Sequence, residues 1–117
     1  MNDDGPLSID IEPCDYGAII RPHGDVDLSS SPDLRAALQE VIARNPATAV
    51  VDLAGVAYMD SSGVATLVEA LQLARQGGSR LVLCSLSNRV QSIFQIARLD
   101  AIFTIVEDLD AASKVSD

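Results

Sequence analysis

Val50-Val51-Asp52-Leu53-Ala54-Gly55-Val56-Ala57-Tyr58-Met59-Asp60-Ser61-Ser62-Gly63 reads as an apolar strand, a turn, and two adjacent hydroxyls just ahead of an amphipathic run. Val64, Leu67, Val68 and Leu71 follow at spacings that place apolar side chains on one helical face. The stretch therefore predicts a strand feeding a helix, with Ser61 and Ser62 at the helix N-terminus. Backbone N–H groups lack intrahelical partners there, and the dipole favours negative charge. A serine held at that point can take a phosphoryl group into a site suited to an anion. Asp and Ser are also the usual N-cap residues, so Asp60-Ser61-Ser62-Gly63 reads as well as a helix start and nothing more.

Outward from this stretch, strands and helices alternate. Leu7, Ile9 and Ile11 alternate with polar residues and predict a strand over 7–12. Asp15-Tyr16-Gly17 makes a turn, and Ala18-Ile19-Ile20 continues as a hairpin partner. Pro22 cannot donate to a ladder, so that strand is expected to end near Arg21 or to bulge. Gly24-Asp25-Val26-Asp27 leads into a loop. Ser31-Pro32 starts a helix, with Ser31 as its cap and Leu34, Ala37, Leu38, Val41 and Ile42 as its buried stripe. Asn45-Pro46 stops it.

A nearly all-apolar strand is expected at 48–53, as for a strand covered on both faces. The helix after Ser61 runs over 62–76 and ends at Gly77-Gly78. A strand follows at 80–84. Ser87 caps a third helix with Val90, Ile93, Phe94 and Ala97 on one side. Residues 103–106 make a short fifth strand, Asp108 begins a last short helix, and the tail frays from Ser113. After the hairpin, this alternation implies parallel pairing. The expected fold is one α/β domain over 1–117, with a core at about 7–112. An N-terminal β-hairpin is followed by β/α units, giving a mainly parallel sheet of about five strands packed with about four helices.

The totals bound the function. At 117 residues and 48% hydrophobic, the chain can fill a core without metal or disulfides. With two Tyr, two Phe and no Trp, packing falls to Val, Leu, Ile and Ala. A net charge of −9 would repel the phosphates of nucleic acid. Lys114 is the only lysine, and no basic stripe offers a membrane contact. Cys14 and Cys84 fall in separate strands and read as reduced thiols of a cytoplasmic protein. Residues 1–6 are acidic and polar, unlike a signal peptide, and no apolar run approaches the ~20 residues of a membrane helix.

Catalytic readings fare poorly. The chain has one histidine, His23, and no Gly-x-Ser-x-Gly elbow. Asp25, Asp27, Asp52 and Asp60 invite a phospho-aspartate receiver or a Mg²⁺ site. A receiver also needs a lysine after its last strand, and the only one lies in the tail. Asp52 reads as a strand-end turn residue, and Asp25 and Asp27 as possible loop caps. Gly77-Gly78 lacks phosphate-loop spacing. No metal and no cofactor are expected.

The stretch from Val50 to Leu71, with Gly24-Asp25-Val26-Asp27 upstream, resembles the STAS domain, and more narrowly the bacterial anti-sigma factor antagonists. The likeness runs from Leu7 to Ala112. It includes the Gly77-Gly78 break, the Ser87-headed helix and Leu99-Asp100-Ala101-Ile102-Phe103 before the last strand. Pro22 and Val64-Ala65 depart from the family pattern. The resemblance implies a non-enzymatic module. The unphosphorylated form binds an anti-sigma factor that is also a serine kinase, and releases a sigma factor. The kinase modifies the serine after the motif Asp, here Ser61, and a PP2C-type phosphatase restores it. Asp60, Ser62 and Gly63 would shape the surroundings of Ser61. Asp27 would be the Gly-x-x-Asp carboxylate near it, with Asp25 alongside. The alternative is a non-switching STAS subunit of a stressosome-like or lipid-transport ATPase complex, with Ser61 a helix cap. A nucleotide- or metal-responsive sensor is a third option.

Overall fold

The alternating Leu7, Ile9 and Ile11 and the reversal at Asp15-Tyr16 build a hairpin. Strand β1 (Ser8–Cys14) pairs antiparallel with β2 (Gly17–His23), with Cys14 opposite Gly17. The computed structural model describes residues 7–115, so the acidic segment 1–6 lies outside the described residues. Gly17 has φ +147°, and a Cβ there would sit 1.8 Å from the Thr48 carbonyl oxygen. Only glycine lets the hairpin close against the next strand.

Strand β2 does not stop at Arg21 as expected. It runs on to His23, with Pro22 opposite Ile9. The ladder to β3 (Thr48–Asp52) covers only Gly17–Ile20 on the β2 side. Pro22 therefore has a strand neighbour on one side alone, which is where a residue without an N–H is tolerated.

Helix α1 (Ser31–Ala43) buries Leu34, Leu38, Val41 and Ile42 as its spacing requires. Its cap position is Ser30, not Ser31, and no side chain of that residue caps it. Ser31 and Pro32 are the first two helical residues. Asn45, at φ +53°, ends the helix, a left-handed turn that Asn accepts readily. All five residues of β3 are buried. Helix α2 (Ser61–Gln76) leads into β4 (Arg80–Cys84), and α3 (Asn88–Ile96) is capped by Ser87, whose Oγ accepts from Val90 N at 3.2 Å. An unanticipated 3₁₀ turn, Leu99–Ala101, precedes β5 (Thr104–Val106). Helix α4 (Leu109–Ala112) starts at Asp108, whose carboxylate accepts from Ala111 N at 2.9 Å.

The sheet order is β1-β2-β3-β4-β5, antiparallel at the hairpin and parallel in the other three pairings. This is the expected α/β domain. One face carries the main core, where Ile20, Val51 and Leu83 meet Leu34 and Leu38 of α1, Leu67 and Leu71 of α2, and Val90 and Phe94 of α3. Phe94 and Phe103 meet edge to face at 5.4 Å, a contact worth about 0.5–1.5 kcal/mol beyond burial. The opposite face is closed by Ala112 and Leu109 of α4 together with Cys14 and Tyr16 over Ile19, Val50 and Val82. The tail expected to fray from Ser113 is held through Val115, which packs on this second cluster. No helix among the described residues is long and apolar enough to cross a membrane.

Cys84 is buried and Cys14 half-buried, and both are free thiols. Burial pushes the Cys84 thiol up from 9.0 to about 11. Up to pH 9.0 both folded and unfolded states keep the proton. Above it the unfolded chain loses the proton first, so stability is expected to fall as pH rises toward about 11. Iodoacetamide should label Cys14 in the native protein and Cys84 only after unfolding, a difference that mass spectrometry of the labelled peptides reads directly.

Candidate functional site

The loop 24–27 and the loop before α2 are far apart in sequence but joined by a short parallel bridge. Val26 N donates to the Tyr58 carbonyl at 3.0 Å, and Asp60 N donates to the Val26 carbonyl at 3.0 Å. Gly24 N donates to the Gly55 carbonyl, also at 3.0 Å. Val26 and Met59 are fully buried in the main core, so the bridge is anchored from beneath. Gly63 seals it from above. A Cβ at Gly63 would come within 2.5 Å of Met59 Cγ and 2.7 Å of Val26 Cγ1. The first turn of α2 therefore rests directly on the bridge, which sets Asp27 beside Asp60.

Asp60 is the N-cap of α2. Its Oδ1 accepts from Ser62 N at 2.9 Å, from Gly63 N at 3.4 Å and from the Ser62 hydroxyl. The Ser62 hydroxyl bond comes first among the causes that hold the Asp60 carboxyl below its ordinary range, and the Asp27 charge pushes the other way. Asp27 is built alike. Its Oδ1 accepts from Ser29 Oγ at 2.7 Å, Ser29 N at 3.0 Å and Ser30 N at 3.1 Å. The Ser29 hydroxyl leads the causes that lower its pKa as well. Asp25 is exposed and serves through its carbonyl, which accepts from Ser30 Oγ at 2.9 Å.

Ser61 differs from its neighbours. It is the first residue of α2, it is exposed, and its hydroxyl has no hydrogen-bond partner among the described residues. Of the Asp and Ser residues that could cap the helix, Asp60 is the cap and neither serine is. The helix-end N–H groups of Ser62 and Gly63, expected to welcome an anion, are already taken by Asp60. Substituting Asp60→Ala is expected to lower the urea midpoint with little change in slope. Because the carboxylate pKa is depressed on folding, its contribution is present above its ordinary value of 3.8 and lost as pH falls through the folded value. The gap between wild type and Asp60→Ala should therefore narrow on acidification.

Beside Ser61 lies an open, mainly apolar groove of about 500 Å³, walled by Tyr58, Met59, Val64, Ala65, Ile93 and Ala97. The guanidinium of Arg89 stands 5.4 Å from the centre of the Tyr58 ring, a cation–π contact. Sequence reasoning missed this surface. The spacing puts Ile93 and Ala97 on one side of α3 with Val90 and Phe94, but Ile93 is half-buried and Ala97 exposed, and both face the groove. The available signal was Tyr58, an aromatic residue directly before the motif.

Two other candidates, His23 and Asp52, do not line this groove. His23 is the last residue of β2, and its Nε2 is 3.1 Å from Asp10 Oδ2. Asp52 ends β3 as expected. Its Oδ1 accepts from Ala54 N at 3.1 Å, and its Oδ2 is 3.4 Å from Arg21 Nε. No group of three or more His, Cys, Asp or Glu among the described residues could hold a metal.

The family profile of the STAS domain matches residues 9–112. The anti-sigma-B factor antagonist of Listeria monocytogenes is 35% identical over 100 residues, covering 85% of this chain and 88% of the relative. That of Bacillus subtilis is 29% identical over 99 residues, covering 85% and 90%. Among solved structures, an anti-sigma factor antagonist from Mycobacterium paratuberculosis superimposes with a TM-score of 0.80 at 24% identity, over 91% of this chain and 90% of that one. The phosphorylated form of the Bacillus protein SpoIIAA gives 0.71 at 21% identity, over 93% and 100%. At these identities the structural likeness establishes a shared fold.

Proposed function

This chain belongs to the STAS domain family, and from that premise we propose that it is an anti-sigma factor antagonist switched by phosphorylation of Ser61. Unphosphorylated, it binds an anti-sigma factor that is also a serine kinase, and the sigma factor goes free. The kinase then transfers the γ-phosphoryl group of ATP to Ser61 Oγ. The new O–P bond forms as the bond to the ADP oxygen breaks, and the hydroxyl proton passes to a base on the kinase. A PP2C-type phosphatase hydrolyses the ester and restores the hydroxyl. The chain is a substrate in both steps. Its effect on transcription runs through proteins in the cytoplasm, as its acidity and free thiols favour, and not through contact with DNA.

One observation carries this reading. The capping work at α2 belongs to Asp60, which leaves the Ser61 hydroxyl exposed, unbonded and beside an apolar groove. A phosphoacceptor needs reach, and this oxygen has it. The same observation weighs against a non-switching subunit, where Ser61 would serve only to cap the helix.

Affinity capture from native extract tests the reading, with wild-type and Ser61→Asp chains as baits and mass spectrometry of partners and phosphosites. Wild type should recover an ATP-binding kinase that Ser61→Asp does not, with phosphate mapped to Ser61. Recovery of transporter or stressosome-like proteins by both baits, with Ser61 unmodified, would favour the non-switching subunit.

A further inference from the structure

The chain carries 17 acidic residues and only 8 basic ones. Arg21, Arg35, Arg44 and Lys114 are each paired with a carboxylate, those of Glu12, Glu69, Glu40 and Asp110. Arg75, Arg89 and Arg98 make no ion pair among the described residues. All three belong to α2, α3 or the residue just after α3's cap, the two helices that wall the groove beside Ser61. In so acidic a chain, cations left without carboxylates beside one groove point to negative charge supplied from outside.

The spacing sets them around an apolar trough. Val64, Val68 and Arg75 fall along one line of α2, and Arg89, Ile93 and Ala97 along one line of α3 and its cap. Arg89 stands at one end, over the Tyr58 ring. Arg75 stands at the other, where its Nη2 donates to the Ile102 carbonyl at 3.2 Å. Arg98 follows Ala97 directly and is exposed. Ile96, one turn on from Ile93, is 84% exposed. Asp60 is the one acidic residue on the groove wall among the described residues, and its Oδ1 is turned onto the N–H groups of α2. From Val64 to Arg75 the rise is roughly 16 Å, about three helical turns.

An apolar trough of that length with guanidinium groups beside it matches a helix whose apolar residues recur at i, i+4 and i+7 and whose flanks are acidic. Tyr and Arg are also the side chains that most often anchor interfaces. A net charge of −9 repels an anionic membrane or a nucleic acid as a whole, which favours a protein occupant. Resting on the reading that Ser61 is the switch, we propose that this groove receives an acidic amphipathic helix of the partner protein that Ser61 controls. A phosphoryl dianion on Ser61, at one end of the groove, then meets the acidic flank of that helix, and like charges reject it.

A display library of helical peptides with randomised outer positions, selected against the full chain, tests the groove. Enriched peptides are expected to carry Leu, Ile or Phe at i, i+4 and i+7 with Asp or Glu alongside. They should bind saturably by fluorescence anisotropy and shift the backbone amides of Val64, Ala65, Ile93 and Ala97. Arg89→Glu and Ala65→Glu, both at exposed positions, should each weaken binding about tenfold or more. Phosphoserine at position 61 should weaken it too. Undiminished peptide binding by the phosphorylated chain would leave the groove standing and contradict its tie to the switch. The groove itself is overturned if nothing is enriched, if the enriched peptides are not acidic, if the shifts centre away from α2 and α3, or if both variants bind as wild type does. Binding to phosphatidylglycerol vesicles that Arg89→Glu abolishes would overturn it in favour of a membrane.

Discussion

Ser61→Ala is expected to bind the cognate anti-sigma factor as tightly as wild type, while phosphorylated Ser61 binds it more than a hundredfold more weakly. Ser61→Asp should show part of that loss. The asymmetry follows from where the charge has to go. A phosphoserine adds about −1.5 to −2 charge at pH 7. The helix N-terminus would reward it by ~0.3–1 kcal/mol, but Asp60 already occupies the N–H groups of Ser62 and Gly63. Asp60 and the nearby Asp27 are acidic and repel it. The dianion therefore has no pocket of its own to fold into and stands out over the groove of Tyr58, Val64 and Ile93.

In the isolated domain, water solvates that charge, so folding is little affected. Against a partner the same charge must be desolvated, which costs several kcal/mol unless it is paired. A loss of about 3 kcal/mol already exceeds a hundredfold in affinity. Surface plasmon resonance on the Ala and Asp variants, with circular dichroism to confirm their folding, separates an interface effect from a folding one.

Gly63→Ala carries the second large effect. By helix propensity alone, alanine should stabilise α2 by about 1 kcal/mol. Packing opposes this, because the new methyl would lie 2.5 Å from Met59 Cγ and 2.7 Å from Val26 Cγ1. Both side chains are fully buried in the main core and have little room to retreat. Overpacking of this kind costs about 1–3 kcal/mol. Net destabilisation by urea unfolding is the expected outcome, together with weaker partner binding, since lifting the first turn off the bridge moves Ser61. A stabilised Gly63→Ala would mean that the seat of the helix is softer than this account requires.

Much of this fold was legible because its signals are local. The spacing of Leu67 and Leu71 in α2, the caps at Ser87 and Asp108, and the continuous apolar run of β3 each depend on neighbours in sequence. Pro22 misled because tolerance of a proline depends on which strands flank it, and only the assembled sheet shows that β2 has lost its β3 neighbour by that point. The cap of α1 slipped by one residue because Ser29, Ser30 and Ser31 are chemically alike, while the three-dimensional role of Asp27 chooses among their positions. In the site, the motif residues were legible but their division of labour was not. Asp60 and the serines are all good caps, and only geometry shows that the carboxylate takes the N–H groups and leaves the Ser61 hydroxyl unbonded. The Val26–Met59 bridge joins residues remote in sequence and leaves no local mark. The groove escaped because an amphipathic period identifies the apolar face of α3 without showing that Ile93 and Ala97 extend past the edge of the core.

The most direct measurement is a pair of calorimetric titrations of the cognate anti-sigma factor, one with the unmodified chain and one with the chain fully phosphorylated at Ser61. Tight binding by the first and a more than hundredfold loss in the second is the predicted result. Equal affinities would contradict the claim that the exposed Ser61 hydroxyl is the switch.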